Sequence, residues 1–167
     1  MTDFSKTRAA FHLPEGVIYL DGVDIETIPL DDLRRRMGLV MQDIVLFPGT
    51  VLDNLRLDDP SISDTRVLEA LETVGAARLV NHSVDGLHRE LAEHGANLSV
   101  GERQLLSFAR ALVHEPSILV LDEATSSVDP LSEDRIRAAM DTLMQGRTSL
   151  VIAHRLRTIL DSDCIVV

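Results

Sequence analysis

Three short, mostly apolar runs that each end at a polar side chain constrain the fold of this chain more than any other feature. The runs cover residues 38–41, 118–121 and 149–153, and the polar side chains that follow them belong to Gln42, Asp122, Glu123 and His154. The runs lack the alternation of polar and apolar residues that marks a strand with one solvated face. They therefore predict buried strands of a parallel sheet, covered on both faces.

Helical patterns separate these runs along the chain. Ser63 is suited to cap a helix over residues 64–74, and residues 101–113 form a longer helical stretch that Pro116 closes. Further helices are predicted over residues 30–37, 131–144 and 155–160, and a helical turn over 50–55. Strands are predicted over residues 17–20, followed by the turn Asp21-Gly22, and from residue 164. Residues 81–97 look irregular. Strands that alternate with helices indicate an α/β fold with a mainly parallel sheet.

The polar residues at the ends of the three runs suggest a chemical site. Ligands of open parallel sheets bind beyond the carboxyl ends of the strands, so neighbouring strands would bring an amide, two carboxylates and an imidazole to one edge. That set suits metal-assisted phosphoryl transfer, in which one carboxylate serves Mg²⁺ and the other activates water. Each residue alone has an ordinary alternative, because a carboxylate after a buried strand is often only the first solvated residue of a loop. A single histidine is likewise more often structural than catalytic.

The start of the long helix carries a second candidate feature. Ser99, followed three residues later by Glu102, forms the pattern of a capping box, which satisfies backbone donors at a helix start. A helix N-terminus with a serine hydroxyl and a glycine that allows close backbone approach, here Gly101, is also a good seat for a phosphate. The structural and the functional interpretation are compatible, and both stay open at this point.

Composition narrows the class of protein. The formal net charge of −11 disfavours non-specific binding to nucleic acid, which needs clustered Lys and Arg. The single cysteine, Cys164, excludes an internal disulfide and suits a reducing compartment. No apolar run approaches the ~20 residues that cross a bilayer. Association with a membrane would therefore need a partner or another part of the same protein.

Five motifs, in the correct order along the chain, resemble those of ABC transporter ATPases. Residues 98–106, LSVGERQLL, resemble the signature motif, and residues 118–129, ILVLDEATSSVD, resemble the Walker B motif and the D-loop. Residues 41–43 resemble the Q-loop and residues 153–155 the H-loop. The segment GANLSVGERQLLSFARAL is most similar to the corresponding sequence of exporters of the multidrug and lipid type. The resemblance implies a P-loop NTPase-like, mainly parallel sheet with a helical subdomain inserted at about residues 50–115.

The resemblance also implies roles for the residues at the strand ends, with ATP and Mg²⁺ as cofactors. Asp122 would hold Mg²⁺ through water, and Glu123 would be the general base for the attacking water. His154 would contact the γ-phosphate. Gln42 would sense the metal and the nucleotide, and its loop would touch the transmembrane partner.

The signature residues are implied to act in trans. Ser99, Val100, Gly101 and Glu102 would close over ATP held by a second ABC ATPase domain in a head-to-tail dimer, and Asp129 would lie at the dimer seam. The implied partners are that second domain and the transmembrane domains of an exporter, with no nucleic acid. The chain would then lie at the cytoplasmic face of a membrane, as a peripheral part bound to its transmembrane partner.

One motif of the family is not found in the sequence. A phosphate-cradling loop needs a glycine-rich run that ends in Lys-Ser or Lys-Thr. Lys6 is the only lysine, and although Thr7 follows it, the first glycine is Gly16. We therefore expect residues 1–15 to be a non-matching segment. Residues 16–167 are expected to form a partial ABC ATPase domain, incomplete at both ends and without the Walker A loop.

These features leave more than one function open. The leading expectation is the ATP-binding and ATP-hydrolysing part of an ABC exporter, inactive alone if it has no phosphate-binding loop. The alternatives are a non-catalytic module that lends its signature helix to a complete ATPase, and a decayed or fragmentary gene product.

Glu93 and Gly95 resemble the short exporter loop that senses the transmembrane domains.

Overall fold

The structure is a computed structural model that describes residues 18–122, 130–152 and 162–165. Its strands are β1 (Tyr19–Leu20), β2 (Val23–Asp24), β3 (Met37–Val40), β4 (Gly49–Thr50), β5 (Glu90–Leu91), β6 (Ile118–Asp122) and β7 (Thr148–Ile152). Its α-helices are α1 (Leu30–Arg36), α2 (Val51–Arg56), α3 (Asp64–Thr73), α4 (Arg78–Asn81), α5 (Val100–Val113) and α6 (Pro130–Met144). The chain divides into two compact units, and the boundary between them lies between Arg34 and Arg35.

The first unit contains a β-hairpin with a two-residue turn. β1 and β2 pair antiparallel, with Leu20 opposite Val23 across the turn Asp21-Gly22. Both turn residues have a positive φ, 50° at Asp21 and 79° at Gly22. Aspartate and glycine are the residues that tolerate this conformation, which matches the twist of the two strands. The turn predicted from the sequence is confirmed.

A three-stranded parallel sheet forms the framework of the second unit. β6 lies between β3 and β7, and both pairings are parallel. Val40 lies opposite Leu121, and Asp122 lies opposite Ile152. The three apolar runs are therefore neighbouring parallel strands, and the predicted α/β fold with a mainly parallel sheet is confirmed.

Most helices lie in the connection between β3 and β6. This connection contains α2 to α5 and the small antiparallel pair of β4 with β5, which agrees with a helical region inserted at about residues 50–115. Ser63 caps α3, since its side chain accepts a hydrogen bond from the backbone N–H of Arg66. The segment 81–97, predicted to be irregular, contains β5 and two 3-10 turns.

The two faces of the parallel sheet differ in exposure. On one face Val40, Leu119 and Leu121 are at most 2% exposed and belong to the hydrophobic core. On the other face Leu39 and Leu150 are each 61% exposed. The expectation of strands covered on both faces is therefore wrong for the part of the chain that the structure describes. The runs lack alternation because both faces are apolar, although only one of them is buried.

Helix α5 is the central element of the core. Leu106 and Ala109 are fully buried and Phe108 is 2% exposed, so apolar surface covers most sides of the helix. Such a helix is buried between other elements, and α5 contacts α2, α3, α6 and β3. The fully buried side chains from those neighbours and from β6 include Leu55, Leu71, Leu119, Ile136 and Leu143.

The end of the chain differs from the sequence prediction. Cys164 and Ile165 do not lie in a strand, although a strand was predicted to start at residue 164. Apolar residues alone do not make a strand, because the backbone of a strand must pair with a neighbour. The helix predicted over residues 155–160 lies outside the described residues. Among the helices that the structure describes, none is long and apolar enough to cross a membrane.

Candidate functional site

The carboxyl edge of the parallel sheet brings together two of the predicted site residues. Asp122 is the last residue of β6, and Gln42 follows the end of β3 by two positions. Because Val40 and Leu121 are paired, Asp122 comes one residue and Gln42 two residues after the same point of the sheet. Asp122 is half-buried and Gln42 is exposed. A carboxylate and an amide therefore lie at the edge where open parallel sheets bind their ligands.

Three predicted site residues lie outside the described part of the chain: Glu123, Asp129 and His154. β6 ends one residue before Glu123, and β7 ends two residues before His154. β6 and β7, the strands that precede these two residues, therefore end at the same edge of the sheet. The roles of all three residues stay predictions.

The donor atoms at this edge suit Mg²⁺. The carboxylate of Asp122 and the amide of Gln42 offer oxygen atoms, which are the ligands that Mg²⁺ prefers. Within the described ranges, no group of three or more His, Cys, Asp or Glu side chains is arranged to hold a metal ion. The donor set thus fits a cation that keeps several waters and shares its coordination with substrate phosphates, as Mg²⁺ commonly does.

The predicted signature residues form the start of α5. Ser99 is the N-cap, and its Oγ accepts a hydrogen bond from the backbone N–H of Glu102 at 3.2 Å. In return, Oε2 of Glu102 accepts the backbone N–H of Ser99 at 2.8 Å. The capping box predicted from the sequence is therefore confirmed. Ser99 and Val100 are exposed, whereas Gly101 is buried.

The same helix start retains hydrogen-bond donors for an anion. The Ser99 hydroxyl only accepts in the capping box, and a hydroxyl can donate as well. Among the described residues, no acceptor is bonded to the backbone N–H of Val100 or of Gly101. These two groups are the unpaired donors that any α-helix has in its first turn. Three donors at the positive end of the helix dipole thus remain for a ligand such as phosphate.

The structure collects the predicted residues into two groups and not into one. Gln42 and Asp122 lie at the sheet edge, whereas Ser99 and Glu102 are bonded to each other at the start of α5. Across residues 18–122, 130–152 and 162–165, no hydrogen bond or ion pair joins the two groups.

Sequence reasoning missed two polar residues that connect the segment after Gln42 to α5. Asn54 of α2 is fully buried, and Arg110 of α5 is bonded to it. Burial lowers the pKa of Arg110 from its ordinary value, although an arginine stays charged. The available signal was an asparagine between the apolar residues Leu52 and Leu55, because an amide buried among them must find hydrogen-bond partners.

Comparison with known protein families agrees with this fold. The family model described as "ABC transporter" matches residues 6–126. The chain belongs to the ABC transporter family. This confirms the resemblance recognised from the motifs, and it confirms the P-loop NTPase-like α/β class of the fold.

Individual relatives are similar over most of this chain but are much longer. An uncharacterized ABC transporter ATP-binding protein of Bacillus subtilis (strain 168) is 45% identical over 152 residues, which are 91% of this chain and 25% of the relative. The ATP-dependent lipid A-core flippase of Neisseria meningitidis serogroup B (strain ATCC BAA-335 / MC58) is 43% identical over 152 residues, 91% of this chain and 24% of the flippase. A beta-(1→2)glucan export ATP-binding/permease protein of Rhodopseudomonas palustris (strain ATCC BAA-98 / CGA009) is 44% identical over 166 residues, 99% of this chain and 28% of the relative. The chain therefore spans about a quarter of the length of these relatives.

Proposed function

We propose that the chain acts in the ATP-binding and ATP-hydrolysing domain of an ABC exporter, which couples ATP hydrolysis to transport across a membrane, and that its residues do not include the phosphate-binding loop. The observation that carries the proposal is the position of Gln42 and Asp122 at one carboxyl edge of the parallel sheet in a member of this family. The names of the flippase and of the glucan export protein support the exporter class. The partners would be a second ABC ATPase domain and the transmembrane domains of the exporter, with this chain at the cytoplasmic face of the membrane.

The proposed chemistry is attack of water on the γ-phosphate of ATP. Glu123 accepts a proton from the water as the water oxygen bonds to phosphorus, and the bond to the bridging oxygen breaks to leave ADP and phosphate. His154 contacts the γ-phosphate and steadies its charge. Asp122 and Gln42 would hold Mg²⁺, which would supply positive charge beside the phosphate oxygens.

The signature residues are proposed to complete the site of a second domain. The hydroxyl of Ser99 and the backbone N–H groups of Val100 and Gly101 donate to the γ-phosphate of ATP that the second domain holds. Glu102 stabilises this phosphate-binding position, because its carboxylate accepts a hydrogen bond from the backbone N–H of Ser99. Asp129 lies at the seam between the two domains. The lack of any bond between the two groups of site residues within the described chain is consistent with this division.

A second candidate function is a module that supplies only the signature helix. It is favoured by the donors that remain at the start of α5. Such a module would contribute to one ATP site shared with its partner and would have no complete ATP site of its own.

Mixing the chain with a complete ABC ATPase domain distinguishes the two candidates. The partner would be the ATPase domain of the meningococcal lipid A-core flippase, which is 43% identical to this chain, and the measurement is phosphate release with and without the chain. If the chain contributes hydrolysis, both Ser99→Ala and Glu123→Gln reduce the stimulation. If it lends only its signature helix, Ser99→Ala reduces the stimulation and Glu123→Gln does not. No stimulation by the wild-type chain would contradict both candidates.

A further inference from the structure

The segment that follows the sheet edge has little regular backbone structure of its own. Residues 41–50, here called the Gln42 loop, contain strand only at their end, where β4 pairs with β5. Met41 and Val45 are each 53% exposed, and Phe47 is 50% exposed. Because backbone groups of such a loop are not paired in a ladder, side chains from elsewhere must bond them if the loop is to keep one position.

Asn54 supplies those bonds from the fully buried face of α2. Its Oδ1 accepts the backbone N–H of Phe47 at 2.8 Å, and its Nδ2 donates to the carbonyl oxygen of Phe47 at 2.9 Å. Nδ2 also donates to the carbonyl oxygen of Thr50 at 3.0 Å. One amide side chain therefore pairs both backbone groups of Phe47, as a neighbouring strand would do.

Arg110 ties the same groups to α5. Its Nε donates to the carbonyl oxygen of Asn54 at 2.7 Å, and one terminal nitrogen donates to Oδ1 of Asn54 at 3.0 Å. The other terminal nitrogen donates to the carbonyl oxygen of Val45 at 2.8 Å. The guanidinium also lies 5.6 Å from the centre of the Phe47 ring, within the range of a cation–π contact. The rigid fork of the guanidinium thus reaches the loop and α2 at once.

A second contact holds the loop near the other end of α5. Leu46 is 2% exposed, and its Cδ1 lies 2.5 Å from the position that a Cβ on Gly95 would take. Gly95 precedes α5, and its carbonyl oxygen accepts from Arg103 of α5 at 3.4 Å. The Gln42 loop is therefore held close to both ends of the helix that starts at the signature residues.

We infer that Arg110 and Asn54 are positioning residues that fix the Gln42 loop on α5, so that the segment after Gln42 and the helix starting at Ser99 keep one relative position. The inference rests on the proposed function for the roles of Gln42 and Ser99. The fixing of the loop rests only on the hydrogen bonds. Neither positioning residue is proposed to touch ATP.

Amide hydrogen exchange of the whole chain, read by NMR, tests the fixing directly. The backbone N–H of Phe47 is the reporter, since its partner is a side chain of this network. Arg110→Met is expected to speed its exchange about tenfold, the size of effect of one lost hydrogen bond to a charged group. Arg110→Lys, which keeps the charge without the fork, is expected to show a smaller effect. Asn54→Asp keeps the acceptor for Phe47 but places a carboxylate oxygen against the carbonyl oxygens of Phe47 and Thr50, so it is also expected to speed the exchange.

Arg66→Met is the matched control. Arg66 of α3 also donates to a backbone carbonyl at the end of α5, that of Leu112 at 3.2 Å, and it pairs with Glu115 at 2.7 Å. It makes no bond to the Gln42 loop among the described residues. Faster exchange at Phe47 in Arg110→Met and not in Arg66→Met supports the inference. Equal exchange at Phe47 in both variants overturns it. If Arg110→Met unfolds the chain, Arg110→Lys decides the comparison by the same criterion.

Stimulation of the complete ATPase domain tests the link to the proposed site. Arg110→Met is expected to reduce the stimulation several-fold more than Arg66→Met, with partial recovery in Arg110→Lys. Equal stimulation by the two methionine variants, despite a loosened Phe47, would mean that Arg110 is only structural and overturns the positioning role. If the wild-type chain does not stimulate at all, the proposed function fails, whereas the exchange data still decide whether the loop is fixed by Arg110.

Discussion

Glu102 and Ser99 each accept a hydrogen bond from the backbone N–H of the other, at 2.8 and 3.2 Å. This reciprocal pair stabilises the start of the most buried helix of the fold and at the same time leaves the Ser99 hydroxyl able to donate. The helix cap uses a lone pair of the Ser99 hydroxyl oxygen, whereas the proposed phosphate contact uses the hydroxyl hydrogen. The two interpretations of the motif that the sequence left open are compatible for this reason.

Ser99→Ala separates these two roles when it is compared with a second cap. Ser63 is the N-cap of α3 and accepts from the N–H of Arg66, as Ser99 does from Glu102. Each substitution is expected to lower the free energy of unfolding by about 1 kcal/mol, the usual cost of a lost cap, measured by urea denaturation. Only Ser99→Ala is expected to reduce stimulation of a complete ATPase domain. Equal loss of stimulation in the two variants would show that stability alone is responsible.

Gly95→Ala is expected to destabilise the chain more than Gly75→Ala. Both glycines have a positive φ, 67° and 72°, so both substitutions introduce backbone strain. A Cβ on Gly95 would also meet Leu46 Cδ1 at 2.5 Å and Arg103 Cδ at 3.2 Å, whereas one on Gly75 meets nothing within 4 Å. The extra cost for Gly95 is about 1–3 kcal/mol, as for overpacked sites, and urea denaturation of both variants measures it. Equal midpoints would mean that Leu46 moves away without cost.

Acidification is expected to weaken the start of α2 through Asp53. Hydrogen bonds from the backbone and side chain of Thr50 lower the pKa of Asp53 from its ordinary value. A carboxyl group whose pKa is lower in the folded state adds stability above its unfolded pKa, and that contribution is lost as pH falls through the folded pKa. Wild-type stability should therefore decline more steeply at acidic pH than that of Asp53→Asn, in urea denaturation from pH 7 to pH 3. Asp141→Asn, at an exposed position of α6, is the control and should follow the wild type.

The framework of the fold was predictable because it depends on local pattern. The runs that end just before Gln42 and just before Asp122 are apolar over a strand length and are separated by helical stretches, and the structure pairs them as parallel neighbours. Capping chemistry is equally local, so the start of α5 at Ser99 could be read from two side chains three residues apart.

The parts that could not be predicted depend on contacts distant in sequence. Val45 and Arg110 are bonded although 65 positions separate them, and no periodic pattern encodes such a pair. The exposure of Leu39 on the second face of the sheet was also hidden, because an apolar residue in a strand has the same appearance whether or not a neighbour covers it. Site residues such as Gln42 could be chosen by residue type, whereas the contact of Arg110 with the loop after Gln42 could not be predicted.

Isothermal titration of the purified chain with MgATP tests whether it holds a nucleotide by itself. Backbone donors of a glycine-rich loop and one lysine normally supply most contacts to the β- and γ-phosphates, and the only lysine here, Lys6, has no glycine before it. The carboxylate of Asp122 repels phosphate unless a cation lies between them. We therefore expect no binding heat up to millimolar ATP, whereas a complete ABC ATPase domain under the same conditions gives a saturable signal. Micromolar binding by the chain that is lost in Asp122→Asn and Glu123→Gln would contradict this expectation, and it would mean that other residues of the chain replace the phosphate loop.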